Sequence, residues 1–363
     1  MYGFEPSQEQ QMLVDSVRRY ATNDLRLAAH EADESGEFPH SVIRKGWELG
    51  VLQASIPEAY GGFGERSAVT GALAAEVLGW GDLAGALAVM APGLFALPIL
   101  SAGTEAQKLE HLPALAEGDW QPVTSAFIEP AFDFHPGQMR TAAEKNSDGF
   151  VITGEKACVP FADRAERTVV YAGVDGTPQG FLIPKGAEGY QICERERLMG
   201  IGGVPTFRIR LDKVHVPGSA RLGGADGHDF APILAASQVA VAALGVGLSQ
   251  AAYDYSLAYA KDREAFGVPI AQKQVIAFML AEMITEIEAS RLMVWEAAWL
   301  MDAGHDASKA AYLALVSVSD AAMMVTDRAV QILGGHGYIR EHPVELWMRN
   351  GRGIPAFPGL AIV

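Results

Sequence analysis

Apolar residues in the first third of the chain recur at helical spacing, with Met12, Leu13, Val17 and Tyr20 followed by Val42, Trp47 and Leu49. Ser7 and Gln10 stand three residues apart ahead of the first run, a capping-box pattern that predicts where the helix begins. "PEAYGGFGE" breaks the pattern, and its paired glycines suit a turn with positive backbone dihedrals. Leu83 to Leu100 is the most apolar stretch, but Gly85, Pro92, Gly93 and Pro98 punctuate it, so it reads as buried helix and turn. No run is expected to be long and apolar enough to span a membrane.

From about Gln121 to Pro217 the period changes. Short runs rich in branched and aromatic residues, such as "GFVITG", "RTVVYAGV" and "GFLIP", are separated by Gly, Pro and Asp. Phe207, Ile209 and Leu211 alternate with Arg208, Arg210 and Asp212, which predicts a half-buried strand. From about His228 helical spacing returns. Ile276, Leu280, Met283, Ile287, Val294, Ala298 and Met301 fall on one side of a long helix, and Ala236 to Lys261 and Ala307 to Leu333 are long and alanine-rich. The expected fold is α+β and multidomain: an N-terminal helical domain over 1–120, a middle β domain over 121–227 and a C-terminal four-helix bundle over 228–363.

Composition narrows the functional classes. Of 363 residues, 49% are hydrophobic and 20% charged, which excludes a disordered chain. The formal charge of −16 argues against nucleic acid or an anionic membrane surface as partner, and an anionic ligand would need a local cationic pocket. Two cysteines, Cys158 and Cys193, without zinc-type spacing support neither a disulfide framework nor a cysteine metal site, and a reducing cytoplasm is the expected compartment. No metal ligands are assigned.

Five stretches in order, "SQEQQMLVDSVRRYA", "IPEAYGGFG", "DGFVITGEK", "YAKDREAFGVPIAQKQ" and "QILGGHGYIREHPVELWMRN", resemble the acyl-CoA dehydrogenase family. The resemblance implies that family's helical N-domain, β-barrel-like middle domain and C-terminal bundle, a bound FAD, an acyl-CoA thioester as substrate and an electron-transfer flavoprotein as acceptor. It implies further that Arg263, Phe266, Gln274, Gln331, Gly334 and Gly335 hold the FAD of a neighbouring subunit. A guanidinium for the pyrophosphate, an aromatic cover and bare backbone suit a flavin dinucleotide. The alternative stays open: Arg263 answers a helix dipole and the glycines merely end a helix.

Other positions depart from the family pattern. Ile128 stands where a threonine hydroxyl is expected, Asp133, Phe134 and His135 replace a Gly-Ser-Asp turn, and Cys158 and Pro160 replace a tryptophan and a hydroxyl beside the flavin. Cys158 reads as a small space-filler, and His135 and His336 as turn residues. The family's reaction needs a carboxylate to take the α-proton of the thioester. After Glu345 no acidic residue occurs, and Pro358 stands at the usual position of that base. A minority of members place the base and a ligand arginine in the first bundle helix, where Ala235 and Ala236 stand here. No catalytic residue is assigned. Three readings remain open: a subunit whose homologous partner supplies the base, a homo-oligomeric flavoenzyme of different chemistry, and a non-enzymatic descendant without FAD.

Overall fold

The computed structural model describes residues 5–363, so the first four residues, included in the first domain above, lie outside the described residues. Helix α1 (Gln8–Tyr20) begins where its cap predicts: the Ser7 hydroxyl accepts from the Gln10 amide at 3.2 Å and the Gln10 side chain accepts from the Ser7 amide at 2.9 Å. One π-helical turn leads into α2 (Arg26–Ser35), followed by α3 (His40–Trp47), α4 (Ala68–Gly81), α5 (Leu83–Met90), α6 (Gly93–Ala102) and α7 (Glu105–Glu117). "PEAYGG" forms the expected turn, closed by Gly61 at φ +85°. The apolar stretch around Pro92 becomes α5 and α6, bent by 49° and buried almost throughout.

The middle domain is a curled mixed sheet of β1 (Val123–Ala126), β2 (Ala142–Lys145), β3 (Gly149–Pro160), β4 (Arg167–Val174), β5 (Thr177–Pro184), β6 (Tyr190–Arg195) and β7 (Thr206–Pro217). Its order is β1-β4-β2-β3-β7-β6, with β5 also on β4. β2 meets β4 only at Ala142 and Gly173, and this bridge curls the sheet. In β7, Ile209 and Leu211 face the core as the alternation predicts, with Phe207 half-buried. The phase then slips, because Lys213 takes φ +51° and joins Asp212 on the exposed side.

The C-terminal domain contains α8 (Ala231–Asp262), the small hairpin of β8 (Glu264–Ala265) and β9 (Val268–Pro269), α9 (Gln274–Asp302), α10 (Ser308–Leu333) and α11 (Val344–Gly351). Three helices are long, and the fourth has eight residues. Leu280, Met283, Ile287, Val294 and Ala298 are buried as their spacing predicts, with Ile276 and Met301 half-buried. One expectation needs correction: α8 and the 308–338 stretch are long and apolar enough to cross a membrane by length and composition. Most of the apolar window of α8 is nevertheless buried inside the protein, against α10 and α4. α4 and α8 cross in near backbone contact, where a Cβ at Gly247 would lie 1.9 Å from the Glu76 carbonyl oxygen.

A buried ion pair joins the segment after β1 to the "DGFVITGEK" stretch. Lys156 on β3 is wholly buried, and its ammonium donates to Glu129 at 3.0 Å and to the Phe127 carbonyl at 3.1 Å. Glu129 also accepts from the amides of Arg140 and Thr141, both at 2.8 Å. Burial pushes the Glu129 carboxyl up, but Lys156 and these amides outweigh it and hold it below its ordinary range. Burial draws Lys156 down to about 8 against the pull of Glu129, which leaves it charged at neutral pH. Glu129→Gln therefore strands a buried ammonium and is expected to cost about 3–5 kcal/mol in denaturant unfolding. Because the folded carboxyl is depressed, its contribution is present above the ordinary value of 4.5 and is lost as the pH falls through the folded value. The variant is accordingly expected to lose less stability than the native chain across that acid range; an equal loss would show that Glu129 is not the group titrating.

Candidate functional site

The six residues assigned to a neighbour's flavin all lie at one end of the C-terminal domain. Arg263 caps the C-terminus of α8, its amide donating to Tyr259 O at 2.8 Å, and its side chain is exposed. Phe266 sits between β8 and β9 at φ +56° with 96% of its surface exposed. Gln274 opens α9, Gln331 lies in the last turn of α10, and Gly334 and Gly335 follow it, all exposed. Arg263 and Gly335 line one cleft of ≈ 300 Å³ with Tyr259, Ile270, Ile332, Leu333 and His336. Phe266, Gln274, Gln331 and Gly334 lie on adjoining elements outside its lining. An added Cβ at Gly334 or Gly335 would meet nothing within 4 Å, so their backbone faces open space and a flat ligand can approach it closely. A large apolar ring held out at positive φ, beside an exposed guanidinium and bare backbone, fits a flavin dinucleotide reaching in from another chain.

His336 does more than turn the chain. Its Nδ1 is 2.6 Å from the Tyr259 hydroxyl, His342 Nδ1 is 2.7 Å from the Tyr255 hydroxyl, and the two imidazoles lie tilted by 35° with centroids 5.3 Å apart. This cluster braces the cleft wall, and the tyrosines that anchor it, four residues apart on α8, were the available sequence signal. His135 behaves as a turn residue, its Nδ1 accepting from the Gly137 amide at 3.1 Å.

The half of the site that would cover this chain's own flavin is apolar and closed by internal bonds. The Ile128 carbonyl accepts from Ala157 N at 2.8 Å, and the Phe134 ring packs edge-on against Phe127 at 5.9 Å. Cys158 is half-buried at φ +53°, and its amide donates to the Glu196 carboxylate at 2.6 Å, which also holds Arg208 at 3.2 Å. Pro160 is buried. None of the four supplies a side-chain hydroxyl.

The loop without an acid and the start of α8 come together beside a third region. Pro358 is half-buried between buried Phe357 and Gly359, and Ala235 and Ala236 are buried on α8. Ala235 lines a cleft of ≈ 550 Å³ together with Arg66, Asp229, Asp302, His305 and Asp306. Its three carboxylates are occupied by backbone amides, local ones for Asp229 and Asp306 and those opening α4 for Asp302. Asp302 accepts from Ala68 N at 2.6 Å and Val69 N at 3.1 Å, Asp229 from Ala231 N at 3.0 Å, and Asp306 from Ser308 N at 2.9 Å. They serve as helix and turn caps. Arg66 comes from the N-terminal domain, so a guanidinium reaches this cleft although α8 has none at Ala236. Nothing in the local sequence around Arg66 marks it, since it gains its place only by the meeting of two domains.

Three family descriptions cover the chain in order. Residues 7–119 match the acyl-CoA dehydrogenase N-terminal domain, 125–214 the middle domain and 231–360 the C-terminal domain. The chain is 37% identical over 361 residues to "Probable acyl-CoA dehydrogenase YngJ" of Bacillus subtilis (strain 168), covering 96% of this chain and 94% of that one. The chain belongs to the acyl-CoA dehydrogenase family. Among solved structures, butyryl-CoA dehydrogenase from Megasphaera elsdenii superposes with a TM-score of 0.89 at 31% identity, over 99% of this chain and 96% of that one. The FAD complex of PigA superposes with a TM-score of 0.90 at 25% identity, over 99% and 96%.

Cysteine chemistry tests the closed half of the site experimentally, with Cys193 of β6 as the exposed reference. Burial, and then Glu196, push the Cys158 thiol up to about 12, whereas Cys193 is exposed. Iodoacetamide at neutral pH is expected to label Cys193 well before Cys158 when peptides are followed by mass spectrometry. Equal labelling would contradict a closed, structural Cys158.

Proposed function

We propose that this FAD-dependent oxidoreductase acts on the CH–CH bond of an acyl-CoA thioester as one subunit of an assembly in which a homologous chain supplies the base. The observation that carries this reading is the pairing of Pro358 with Ala235 and Ala236: neither position used for the base in the family holds a carboxylate, and the nearby acids are engaged as caps. Arg263 supports it from the other side, because its exposed guanidinium is offered outward to a ligand this chain does not enclose. Bound FAD would supply the hydride acceptor for the acyl chain, and this chain's residues would contribute by binding rather than by proton transfer. Arg263 would pair with the pyrophosphate, Phe266 would cover an apolar portion, and Gly334 and Gly335 would let the backbone approach. An electron-transfer flavoprotein is carried with this reading as the acceptor, and the homologous partner as the source of the second half-site.

The test is anaerobic reduction. The chain alone, loaded with FAD, is expected to keep its flavin absorbance when butyryl-CoA is added, while the chain co-assembled with a homologue that retains the loop glutamate is expected to bleach. Bleaching by the chain alone would overturn the proposal. Arg263→Ala is expected to weaken FAD retention in the assembly about tenfold or more, read by equilibrium dialysis, because a charge-assisted bond is removed.

A further inference from the structure

A cleft of ≈ 780 Å³ opens between the N-terminal and middle domains, and no residue assigned above to the flavin or to the base lines it. α7 forms one wall, and the hairpin from Lys145 to Phe150, the end of β5 and the stretch from Pro217 to Ala225 form the others. Three cations line it, Lys145, Arg167 and Arg221, in a chain whose formal charge is −16. Arg221 is locked in place: its Nε donates to Gly224 O at 2.8 Å, its Nη2 donates to Ala225 O, and its guanidinium lies 5.5 Å from the centroid of the Phe150 ring. Lys145 on β2 stands opposite Phe150 on β3, so its ammonium shares that end of the cleft, and it has no acceptor among the described residues. Arg167 is held at the other end, where its Nη1 donates to Nδ1 of the buried His111. Burial, then the Arg167 charge, hold His111 below its ordinary value, so the ring is a neutral acceptor at neutral pH and not a competing cation.

The register of β5 sets the two ends apart. Arg221 bridges to Phe181 on one edge of the strand and Arg167 pairs with Pro184 on the other, three residues further on, a separation of about 10 Å along the strand. Leu182, between these positions, also lines the cleft and gives a ligand's spacer an apolar bed. Two carboxylates line it as well. Glu110 lies 3.5 Å from Arg167 but is 65% exposed, so the pair contributes little and an incoming anion displaces it. With Glu110 turned out, the three cations face Asp148 alone. We infer that this cleft is a second anion site, bridging the N-terminal and middle domains, and that it takes a linear α,ω-dicarboxylate, with one carboxylate on Arg221 and Lys145 and the other on Arg167. Two carboxylates match the excess of positive charge, whereas a bisphosphate, at roughly −3 to −4, exceeds it. Guanidinium forks fixed before the ligand arrives favour planar carboxylates and lose little freedom on binding. The inference goes beyond the acyl-CoA reading and does not depend on it.

Isothermal calorimetry on the full chain tests this with octanedioate, whose carboxylates span a comparable length, and with octanoate, which keeps the aliphatic chain and one carboxylate. Octanedioate is expected to bind about tenfold or more tightly than octanoate, and Lys145→Gln and Arg167→Gln are each expected to weaken octanedioate about tenfold. Equal affinity of the two acids, or no binding of octanedioate, overturns the inference on the native chain alone, whether or not the variants fold. Saturating butyryl-CoA and saturating FAD are each expected to leave the octanedioate affinity unchanged. Displacement by either places the dicarboxylate in the thioester or flavin site and overturns the inference.

Discussion

The geometry of this molecule's site depends on the pairing of Lys156 with Glu129 inside the middle domain. The pair satisfies an ammonium with no access to water and pins the segment after β1 to β3. Through it the Phe127–Glu129 stretch is held where Ile128 accepts from Ala157, which in turn sets the direction of Cys158. Either ion buried alone would be costly, so the segment Phe127–Glu129 and the end of "DGFVITGEK" act as one unit. The chain superposes on butyryl-CoA dehydrogenase from Megasphaera elsdenii with a TM-score of 0.89 although Ile128, Cys158 and Pro160 depart from the family pattern.

Much of the architecture was legible because it is periodic. The cap at Ser7, the one-sided apolar row from Leu280 to Ala298 and the alternation through Ile209 and Leu211 each follow from local geometry that a sequence displays. The slip at Lys213 was not legible, since a positive φ at a lysine leaves no compositional trace. The apolar character of α8 was underread for another reason: alanine-rich helices score as moderately apolar residue by residue, and only their full length shows how much surface must be buried.

For the site, the division was between chemistry carried by motif residues and chemistry made by tertiary meeting. Arg263 and Gly335 could be named from their stretches, and the structure brings them to one cleft. Arg66 could not, because its neighbours Asp302, Ser101 and Val363 come from distant parts of the chain. The closing segment was read for the acid it lacks. Its burial against Gly71 and Ser237 depends on packing between domains that no local pattern displays.

The two halves of the proposed flavin site are unequal: the outward half offers the exposed Arg263 guanidinium and open backbone at Gly334 and Gly335, and the inward half offers apolar side chains. A symmetric assembly of identical chains would join one good and one poor half at every site, whereas pairing with a homologue can build one complete site per two chains. Native mass measurement with flavin quantitation on the chain co-expressed with such a homologue tests this most directly. The account predicts about one FAD per two chains; full flavin occupancy in an assembly of this chain alone would contradict it.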